Sequence, residues 1–302
     1  MVKKIVSHLP PRHLDDWLAI SLLLTKYPEA QVEYVHPQQV PENYKNDPSI
    51  ILVDVGGIFE PRFKNYDHHQ DLNLPSSLIL VLCNEFSYTP SDIALPFILA
   101  IDLIDRKGLK YASEVYKIEP SAKIDKYRKI ILLSEPNDTA GYFLISLIES
   151  TEPSYITYDE FIVALYTILD KKGLLEEAKK KFEEEKKEFE RKIKNLVVLD
   201  FTTDLGMLKV GLSKESLAPH HFEVFKKFNL DLIIERNKLN PQHTSIIKNT
   251  AKEISKKIDL AKLKNYYPVV FLHPTCFICV IDKPPEDLNI KEILGILTYK
   301  NV

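Results

Sequence analysis

Three separate segments of the chain carry carboxylate and imidazole side chains at spacings that suit a single metal site. The first has a histidine followed five residues later by a His-x-Asp-Asp sequence, the second ends an apolar run with an aspartate, and the third reads Tyr-Asp-His-His-Gln. The residues concerned are His8, His13, Asp15, Asp54, Asp67, His68 and His69. Carboxylate and imidazole donors without thiolate suit an octahedral ion such as Mn²⁺. Such ions make a bound water nucleophilic and neutralise a phosphoryl oxygen, so the pattern predicts a metal-dependent phosphoesterase.

The elements expected around these residues place them at the ends of strands. Residues 4–8 read as a short strand that ends at His8, and the apolar run 49–55 reads as a buried strand that carries Asp54 near its end. Residues 14–27 have apolar spacing suited to a helix with Asp15 in its first turn. Strand ends followed by helices fit an open parallel sheet whose site lies at the carboxyl edge. We therefore expect an α/β fold, with a parallel-sheet N-terminal domain and a smaller α+β C-terminal domain.

The segment 171–196 is dominated by lysine and glutamate. Its apolar residues form one narrow stripe made of Leu175, Ala178, Phe182, Phe189 and Ile193. This pattern predicts a long solvated helix that either rests on a domain edge or bridges two domains or two subunits. We expect a catalytic domain at 1–170, a connecting helix at 171–195 and a C-terminal domain at 196–302. Further helices are expected at 76–83, 93–109, 126–131 and 140–147, and further strands at 31–35, 196–200, 207–212, 230–235, 243–248, 269–272 and 277–281.

Composition limits the partners. The chain has 302 residues and a net charge of −3, which weighs against coating long duplex nucleic acid through bulk charge but leaves room for a short strand in a local cleft. The N-terminus lacks an apolar signal segment, and no apolar stretch approaches the roughly 20 residues that span a bilayer. Three cysteines cannot build a disulfide framework. We therefore expect a cytoplasmic protein with no membrane partner.

The motifs resemble those of the DHH phosphoesterase superfamily, and most closely the Myg-type (melanocyte proliferating gene) family of metal-dependent exonucleases. The likeness lies in the opening histidines, the Asp-Val-Gly-Gly segment at 54–57, the Tyr-Asp-His-His-Gln segment at 66–70, a later pair of aspartates three residues apart, and a Phe-x-His-x-x-x-Phe segment at 271–277. Most of the matching motifs lie in the first hundred or so residues. The likeness implies an N-terminal DHH domain followed by a substrate-gripping domain.

The resemblance also implies roles for single residues. It predicts two divalent cations, with Mn²⁺ preferred, and Asp54 as the bridge between them. The implied ligands are His8, His13, Asp15, Asp54, His68 and one of Asp102 and Asp105. Those last two share a helix face, so the choice stays open, although the nearby Gly108 favours Asp105. We expect Asp67 to orient imidazoles, His69 to contact phosphate and Asp16 to take part in catalysis; Asp15 and Asp16 could instead be charges at a helix start.

Two departures from the family pattern concern the shape of the site. Between the first two histidines the family usually has Asn-Gly-Thr, whereas this chain has Leu-Pro-Pro-Arg at 9–12. Proline fixes the backbone there, and Arg12 is expected to add a charge at the mouth of the site. Near the C-terminus, a glycine-rich ending is replaced by 275–280. The pair Cys276 and Cys279 would need a second pair to bind zinc, so we expect two small core residues.

The C-terminal domain offers Arg236, His243 and His273 as substrate-binding residues, with the alternative that the two histidines are structural. The leading interpretation is a Mn²⁺-dependent phosphodiesterase that hydrolyses short single-stranded nucleic acid, exonuclease-like, by a two-metal mechanism. A phosphoanhydride hydrolase of the family II pyrophosphatase type ranks second, because the C-terminal part offers only one arginine in a plausible segment. A non-catalytic replication scaffold ranks third, because the ligand set looks complete. The expected partners are a short oligonucleotide or another phosphoester, and a homodimer is compatible with the charged helix.

Overall fold

The computed structural model describes residues 2–71, 73–118, 121–150, 155–218, 220–273 and 275–299. The chain divides into two compact units, Met1–Phe182 and Glu183–Val302. The division falls inside the lysine- and glutamate-rich segment, which forms one helix, α8, over Glu176–Lys194. Each unit has its own sheet and its own apolar core. Within the described ranges, no helix combines the length and the apolar character needed to cross a membrane.

The first unit contains a five-stranded sheet and the helices that pack on it. Its strands are β1 (Lys4–His8), β2 (Gln31–Val35), β3 (Ile50–Val53), β4 (Phe59–Glu60) and β5 (Asn65–Tyr66). Its helices are α1 (Leu14–Lys26), α2 (Ser77–Glu85), α3 (Pro96–Lys107), α4 (Leu109–Tyr116), α5 (Ala122–Leu133), α6 (Asp138–Ile148), α7 (Tyr158–Lys171) and the start of α8. Short 3-10 turns lie at Pro37–Gln39, Glu42–Asn46 and Pro61–Phe63.

Four of the five strands run in parallel. The order is β2-β1-β3-β5-β4, in which only β4 is antiparallel to its neighbour. Strand β3 is buried along its whole length, as its continuous apolar sequence predicts for a central parallel strand. The first unit thus confirms the predicted α/β class with a parallel sheet.

Apolar side chains cover both faces of this sheet. On one face, the large core includes Ile5 and Ile51 together with the fully buried Trp17 of α1. On the other face, Val6 and Leu52 pack with residues of the segment around the 3-10 turns. Because strand residues alternate between faces, this burial on both sides fixes the register of β1 and β3. The fixed register therefore also fixes the positions of the polar residues at the ends of these strands.

The second unit is built on a six-stranded sheet in the order β10-β11-β9-β8-β7-β6. Its strands are β6 (Val197–Thr203), β7 (Gly206–Ser213), β8 (Leu232–Arg236), β9 (Thr244–Lys248), β10 (Val269–Leu272) and β11 (Ile278–Ile281). Its helices are α9 (His221–Phe228), α10 (Glu253–Lys256) and α11 (Ile290–Thr298), with 3-10 turns at Leu260–Asn265 and Pro285–Asp287. Among the described strands of this unit only β7 and β8 are parallel, so the α+β class predicted for this part is confirmed.

The two C-terminal cysteines differ in their surroundings. Cys279 lies on β11 and is fully buried in the core. Cys276 lies before the strand with φ of 53° and is half-buried. The left-handed backbone there belongs to a turn, so the expectation of two core residues is correct for Cys279 and wrong for Cys276.

Candidate metal centre

The site begins with three neighbouring strands of the first sheet that end at the same edge. Strand β1 ends at His8, β3 is followed directly by Asp54, and β5 is followed by Asp67 and His68. Because β1, β3 and β5 are adjacent and parallel, their carboxyl ends bring these polar side chains to one point. This is the edge at which open α/β sheets bind ligands.

The turn after β3 holds Asp54 in an uncommon conformation. Asp54 has φ of 57°, and the next glycines, Gly56 and Gly57, have φ of 105° and 67°. Aspartate tolerates this left-handed region better than most residues, while glycine adopts it without steric cost. The Ser77 hydroxyl donates to the Tyr66 carbonyl at 2.7 Å and lies 3.2 Å from Asp54 Oδ1. These contacts hold the Asp54 carboxylate at the C-terminal end of β3.

Helices α1 and α3 supply the remaining side chains. The α1 N-cap is His13, whose backbone N–H donates to Asp16 Oδ1 at 2.7 Å in a capping box. Helix α1 therefore begins with Asp15 and Asp16 buried in its first turn. Helix α3 brings Asp105, whose Oδ1 lies 3.2 Å from His13 Nδ1.

The imidazoles and carboxylates interleave closely. His68 Nε2 lies 3.1 Å from Asp54 Oδ1 and 2.9 Å from Asp105 Oδ2. His8 Nε2 lies 3.4 Å from both Asp54 Oδ2 and Asp16 Oδ2. His8 Nδ1 lies 2.8 Å from the Leu9 carbonyl, so a proton on Nδ1 would leave Nε2 as the nitrogen that faces the carboxylates.

Several buried polar atoms of this cluster lack hydrogen-bond partners in the part of the chain that the structure describes. They are His8 Nε2, Asp15 Oδ1 and Oδ2, Asp16 Oδ2, Asp54 Oδ2, His68 Nε2 and Asp105 Oδ2. His68 Nε2 lies close to the carboxylates of Asp54 and Asp105 but does not have hydrogen-bond geometry with either. Buried polar groups are normally satisfied, so atoms that converge without bonding one another fit a shared cation.

Three sets of donor atoms could each hold a cation. Within each set the donor atoms lie within 4.8 Å of one another. The sets are His8, His13 and Asp54; Asp54, His68 and His69; and His13, Asp15 and Asp105. Asp54 belongs to two sets and His13 to two, so the residues present fit more than one divalent cation with oxygen and imidazole ligands.

The ionisation of the cluster follows from its burial and its charges. Burial alone would lower the pKa of His8 and His68, but the carboxylates against them raise these pKa values to about 9 and about 10. Burial works to raise the pKa of Asp54, yet the two imidazoles hold it well below its usual range. Burial raises the pKa of Asp15 well above the usual range, and the charges of Asp54 and Asp105 raise it further. Without a cation the neutral form of Asp15 is therefore favoured, and a bound cation would favour its carboxylate instead.

Asp67 and His69 form a separate pair at the edge of the cluster. Asp67 Oδ1 lies 2.8 Å from His69 Nδ1 and accepts from the His69 backbone N–H at 3.0 Å, while Oδ2 accepts from the Gly57 N–H at 2.7 Å. The His69 side chain is 60% exposed. With Nδ1 held by Asp67, the other ring nitrogen of His69 is the one available to an external ligand, although His69 also belongs to one of the three cation sets.

The structure separates the two aspartates of α3. Asp105 lies in the cluster, whereas Asp102 accepts from the Arg106 guanidinium at 3.0 and 2.5 Å and from the Ser76 backbone N–H at 2.7 Å. None of the three sets of candidate ligands among the described residues includes Asp102. Asp105 therefore lies beside the other predicted ligands, whereas the carboxylate of Asp102 is bonded elsewhere.

Arg12 does not lie at the mouth of the site as a free charge. It is 9% exposed, and its guanidinium donates to the Ser134 carbonyl at 2.7 Å and to both carboxylate oxygens of Glu135 at 2.9 Å. It also stacks over the Tyr34 ring at 4.4 Å. The Ser134 carbonyl accepts from the Trp17 indole as well, at 3.0 Å. The expectation for Arg12 was wrong because its partners come from a distant helix end. These contacts connect the loop between two candidate ligands to that helix end.

The three predicted substrate-binding residues of the second unit make contacts within that unit. The Arg236 guanidinium donates to Glu286 at 2.7 and 2.8 Å and to the Lys214 and Pro241 carbonyls. His243 Nε2 lies 3.1 Å from Asp282 Oδ1, and His273 Nδ1 lies 2.9 Å from the Thr275 hydroxyl.

A cavity of about 550 Å³ in the second unit includes His243 among its lining residues, but its described lining includes neither Arg236 nor His273. The gripping role of the three residues stays a prediction.

Two features were not found by sequence reasoning. One is the Ser77 contact with Asp54, for which the sequence gives no local signal. The other is a cavity of about 200 Å³ beside the cluster, whose lining includes Arg128 of α5 and Tyr158 of α7. Both residues lie far along the chain from the metal motifs, so only the folded structure brings them together.

The comparison with protein families agrees with this geometry. The model of the MYG1_exonuc family, described as an uncharacterised protein family (UPF0160), matches residues 4–73. Residues 4–73 are thus similar to the Myg-type family. The match confirms the predicted resemblance over those residues, and the wider DHH placement is consistent with it. The family name suggests an exonuclease-type hydrolase. No curated protein matches the chain.

The matched segment, residues 4–73, contains every predicted ligand except the aspartates of α3. Asp105 and the whole second unit lie outside the matched residues. The structure nevertheless brings Asp105 to within 2.9 Å of His68, so the fold completes the cluster beyond the matched segment.

Proposed function

We propose that the protein is a divalent-metal-dependent phosphodiesterase that removes nucleotides from the end of short single-stranded nucleic acid. The observation that carries this proposal is the set of buried carboxylate and imidazole atoms, unsatisfied within the described part of the chain, that three adjacent strand ends and helices α1 and α3 bring together. The exonuclease name of the matching family points to the same chemistry.

The residues that would hold the ions are those of the three sets, with Asp54 shared between two of them. Two divalent cations held there would supply an activated water and neutralise the oxygens of an in-line displacement at phosphorus. Mn²⁺ is the proposed ion, because the donors are oxygen and imidazole nitrogen.

The chain's own groups then position the substrate. His69, oriented by Asp67 through its Nδ1, presents its other ring nitrogen to a phosphoryl oxygen. Asp16 caps the α1 N-terminus and faces His8, so it keeps the first imidazole aimed at the cluster. In the second unit, His243 and His273 are proposed to hold more of the strand; Arg236 could do so only by leaving Glu286.

The test combines metal content with substrate choice. Protein loaded with Mn²⁺ and then desalted should retain bound metal in elemental analysis, and it should hydrolyse a short RNA or DNA faster than pyrophosphate. An Asp54→Asn variant measured in parallel is the control for contaminating nucleases. A protein that stays metal-free in millimolar Mn²⁺ would refute the proposal. Preferential hydrolysis of pyrophosphate would favour the phosphoanhydride hydrolase, and metal binding without any hydrolysis would favour the scaffold.

A further inference from the structure

A cavity of about 200 Å³ adjoins the metal cluster in the first unit. It shares three residues with the cluster and continues beyond them between α1, α3, α5 and α7. Its described lining residues are His13, Leu14, Asp15, Ile101, Ile104, Asp105, Arg128 and Tyr158. A molecule in this cavity would therefore contact both the cation ligands and groups that the two-metal chemistry does not use.

Arg128 is the only lysine or arginine among the described lining residues of this cavity. Its Nη2 donates to Asp125 Oδ1 at 2.8 Å, three residues earlier on the same helix. That bond uses one of the five N–H donors of a guanidinium, and it holds the side chain in place. Lys129 pairs with the other oxygen of Asp125 at 3.0 Å but does not line the cavity.

The rest of the lining suits a small anion once Asp15 and Asp105 hold a cation. Leu14, Ile101 and Ile104 are apolar, and the two carboxylates of the lining belong to the candidate cation ligands. Tyr158 is buried, and burial raises its pKa to about 12, so its hydroxyl stays protonated near neutral pH. The Arg128 side chain is 32% exposed, so water screens its attraction for an anion in part, while the apolar residues beside it strengthen that attraction.

We propose that this cavity binds the terminal phosphate of the nucleic acid strand, with Arg128 as its ligand. The planar guanidinium can engage two phosphate oxygens at once. A cavity of about 150 Å³ holds a single benzene, so this one accommodates one small group and not a run of nucleotides. The inference rests on the proposed function and adds to it a reason for acting at strand ends, since only a terminal group fits beside the ions.

The test compares strands that differ only at their ends. One short oligonucleotide is prepared with a 5′-phosphate, with a 3′-phosphate, or with hydroxyls at both ends. The kcat/KM of each is measured for the full-length Mn²⁺-loaded protein and for Arg128→Gln, Arg128→Lys and Lys129→Gln. The second readout is the dissociation constant of inorganic phosphate from the same loaded proteins, measured by calorimetry. Lys129→Gln is the matched control because it removes a charge from the next residue, and from the same aspartate, without touching the cavity.

The wild-type protein should prefer one of the phosphate-ended strands. Arg128→Gln should reduce that preference by roughly 10-fold or more, the loss expected for hydrogen bonds to a charged group. It should weaken phosphate binding to a similar degree, whereas Lys129→Gln should change neither. Arg128→Lys keeps the positive charge but lacks the planar guanidinium. It should lose part of the preference for the phosphate-ended strand even if the Gln variant fails to fold.

Equal kcat/KM for all three strands in the wild type would overturn this inference and leave the proposed function standing. An end preference that survives Arg128→Gln, or that Lys129→Gln reduces as much, would overturn it as well. An equal loss on phosphate-ended and hydroxyl-ended strands would assign Arg128 to another part of the nucleotide. A wild-type protein that binds no Mn²⁺ and cleaves no strand would instead refute the proposed function.

Discussion

Replacing Asp15 by asparagine should stabilise the metal-free protein and at the same time remove its stabilisation by Mn²⁺. Asp15 is fully buried, and in the described part of the chain neither of its carboxylate oxygens has a hydrogen-bond partner. It lies close to Asp105, with donor atoms within 4.8 Å. A neutral amide of the same shape would relieve this repulsion but would be a poor cation ligand.

The magnitude follows from Coulomb's law. Two unit charges at the observed limit of 4.8 Å repel by about 3 kcal/mol at an effective dielectric constant of about 20. Protonation and relaxation absorb part of this, so we expect Asp15→Asn to raise the metal-free free energy of unfolding by about 1–3 kcal/mol. In the wild type, free Mn²⁺ at 100 times its dissociation constant should add about 2.7 kcal/mol. The variant should lose most of that gain.

Asp102→Asn is the matched control. Asp102 is also a buried aspartate of the first unit, at 5% exposure, but its carboxylate is satisfied by Arg106 and by the Ser76 N–H. Its replacement should destabilise the metal-free protein by about 1–3 kcal/mol and leave the Mn²⁺-dependent gain unchanged. The assay is denaturant unfolding in EDTA and across a Mn²⁺ titration. If Asp15→Asn lowers stability in EDTA and keeps the wild-type gain with Mn²⁺, the charge argument for the site is wrong.

Four further outcomes are expected. Asp54→Asn should nearly abolish hydrolysis while the melting curve in EDTA stays cooperative; retained turnover would make Asp54 a turn former only. His68→Ala should lose bound metal in elemental analysis, whereas His69→Ala should keep its ions and lose turnover; equal metal loss would contradict the assigned roles. Arg12→Lys should weaken Mn²⁺ affinity by about 10-fold, as for other groups that hold ligands in place, and calorimetric titration measures this. Burial alone would raise the pKa of Glu85, but its hydrogen-bond donors lower it from 4.5 to about 2. Because the pKa is lower in the folded state, the stabilisation by Glu85 is complete above pH 4.5 and is lost as the pH falls towards 2. Acid denaturation of Glu85→Gln should therefore show a flatter pH dependence between these two values.

The strand ends of the first unit could be predicted from sequence because their signals are local. The run at 50–53 is continuously apolar, and polar residues of the predicted types follow it directly. Parallel neighbours then need no further information to meet at one edge. The choice between Asp102 and Asp105 was also within reach. Arg106 lies four residues after Asp102, the spacing of a helical ion pair, while Leu109 holds that place relative to Asp105.

Other features depend on contacts that the sequence does not encode locally. The partners of Arg12 lie 122 and 123 residues away in the sequence, so the local sequence gives no sign that its charge is paired. The same holds for Arg128, which reaches the cluster's cavity only through the packing of α5 beside α1. In both cases the contacts of an arginine side chain depend on tertiary packing, whereas the imidazoles and carboxylates at the strand ends are placed by the strands that carry them.

The first unit contains two kinds of buried carboxylate, and their difference separates structure from function. Glu85 accepts from Lys64 at 2.5 Å, from the Tyr27 and Tyr66 hydroxyls at 2.7 and 2.8 Å, and lies 3.1 Å from Lys26. Its charge is fully compensated within the protein, so it stabilises the fold without any ligand. Asp15 is just as buried and has no such partner among the described residues. Its burial favours the neutral acid, and only an external cation would compensate the charge of its carboxylate form. Burial by itself therefore says little about function; a buried carboxyl group that the protein leaves unsatisfied, beside others aimed at the same point, is what marks the candidate metal centre.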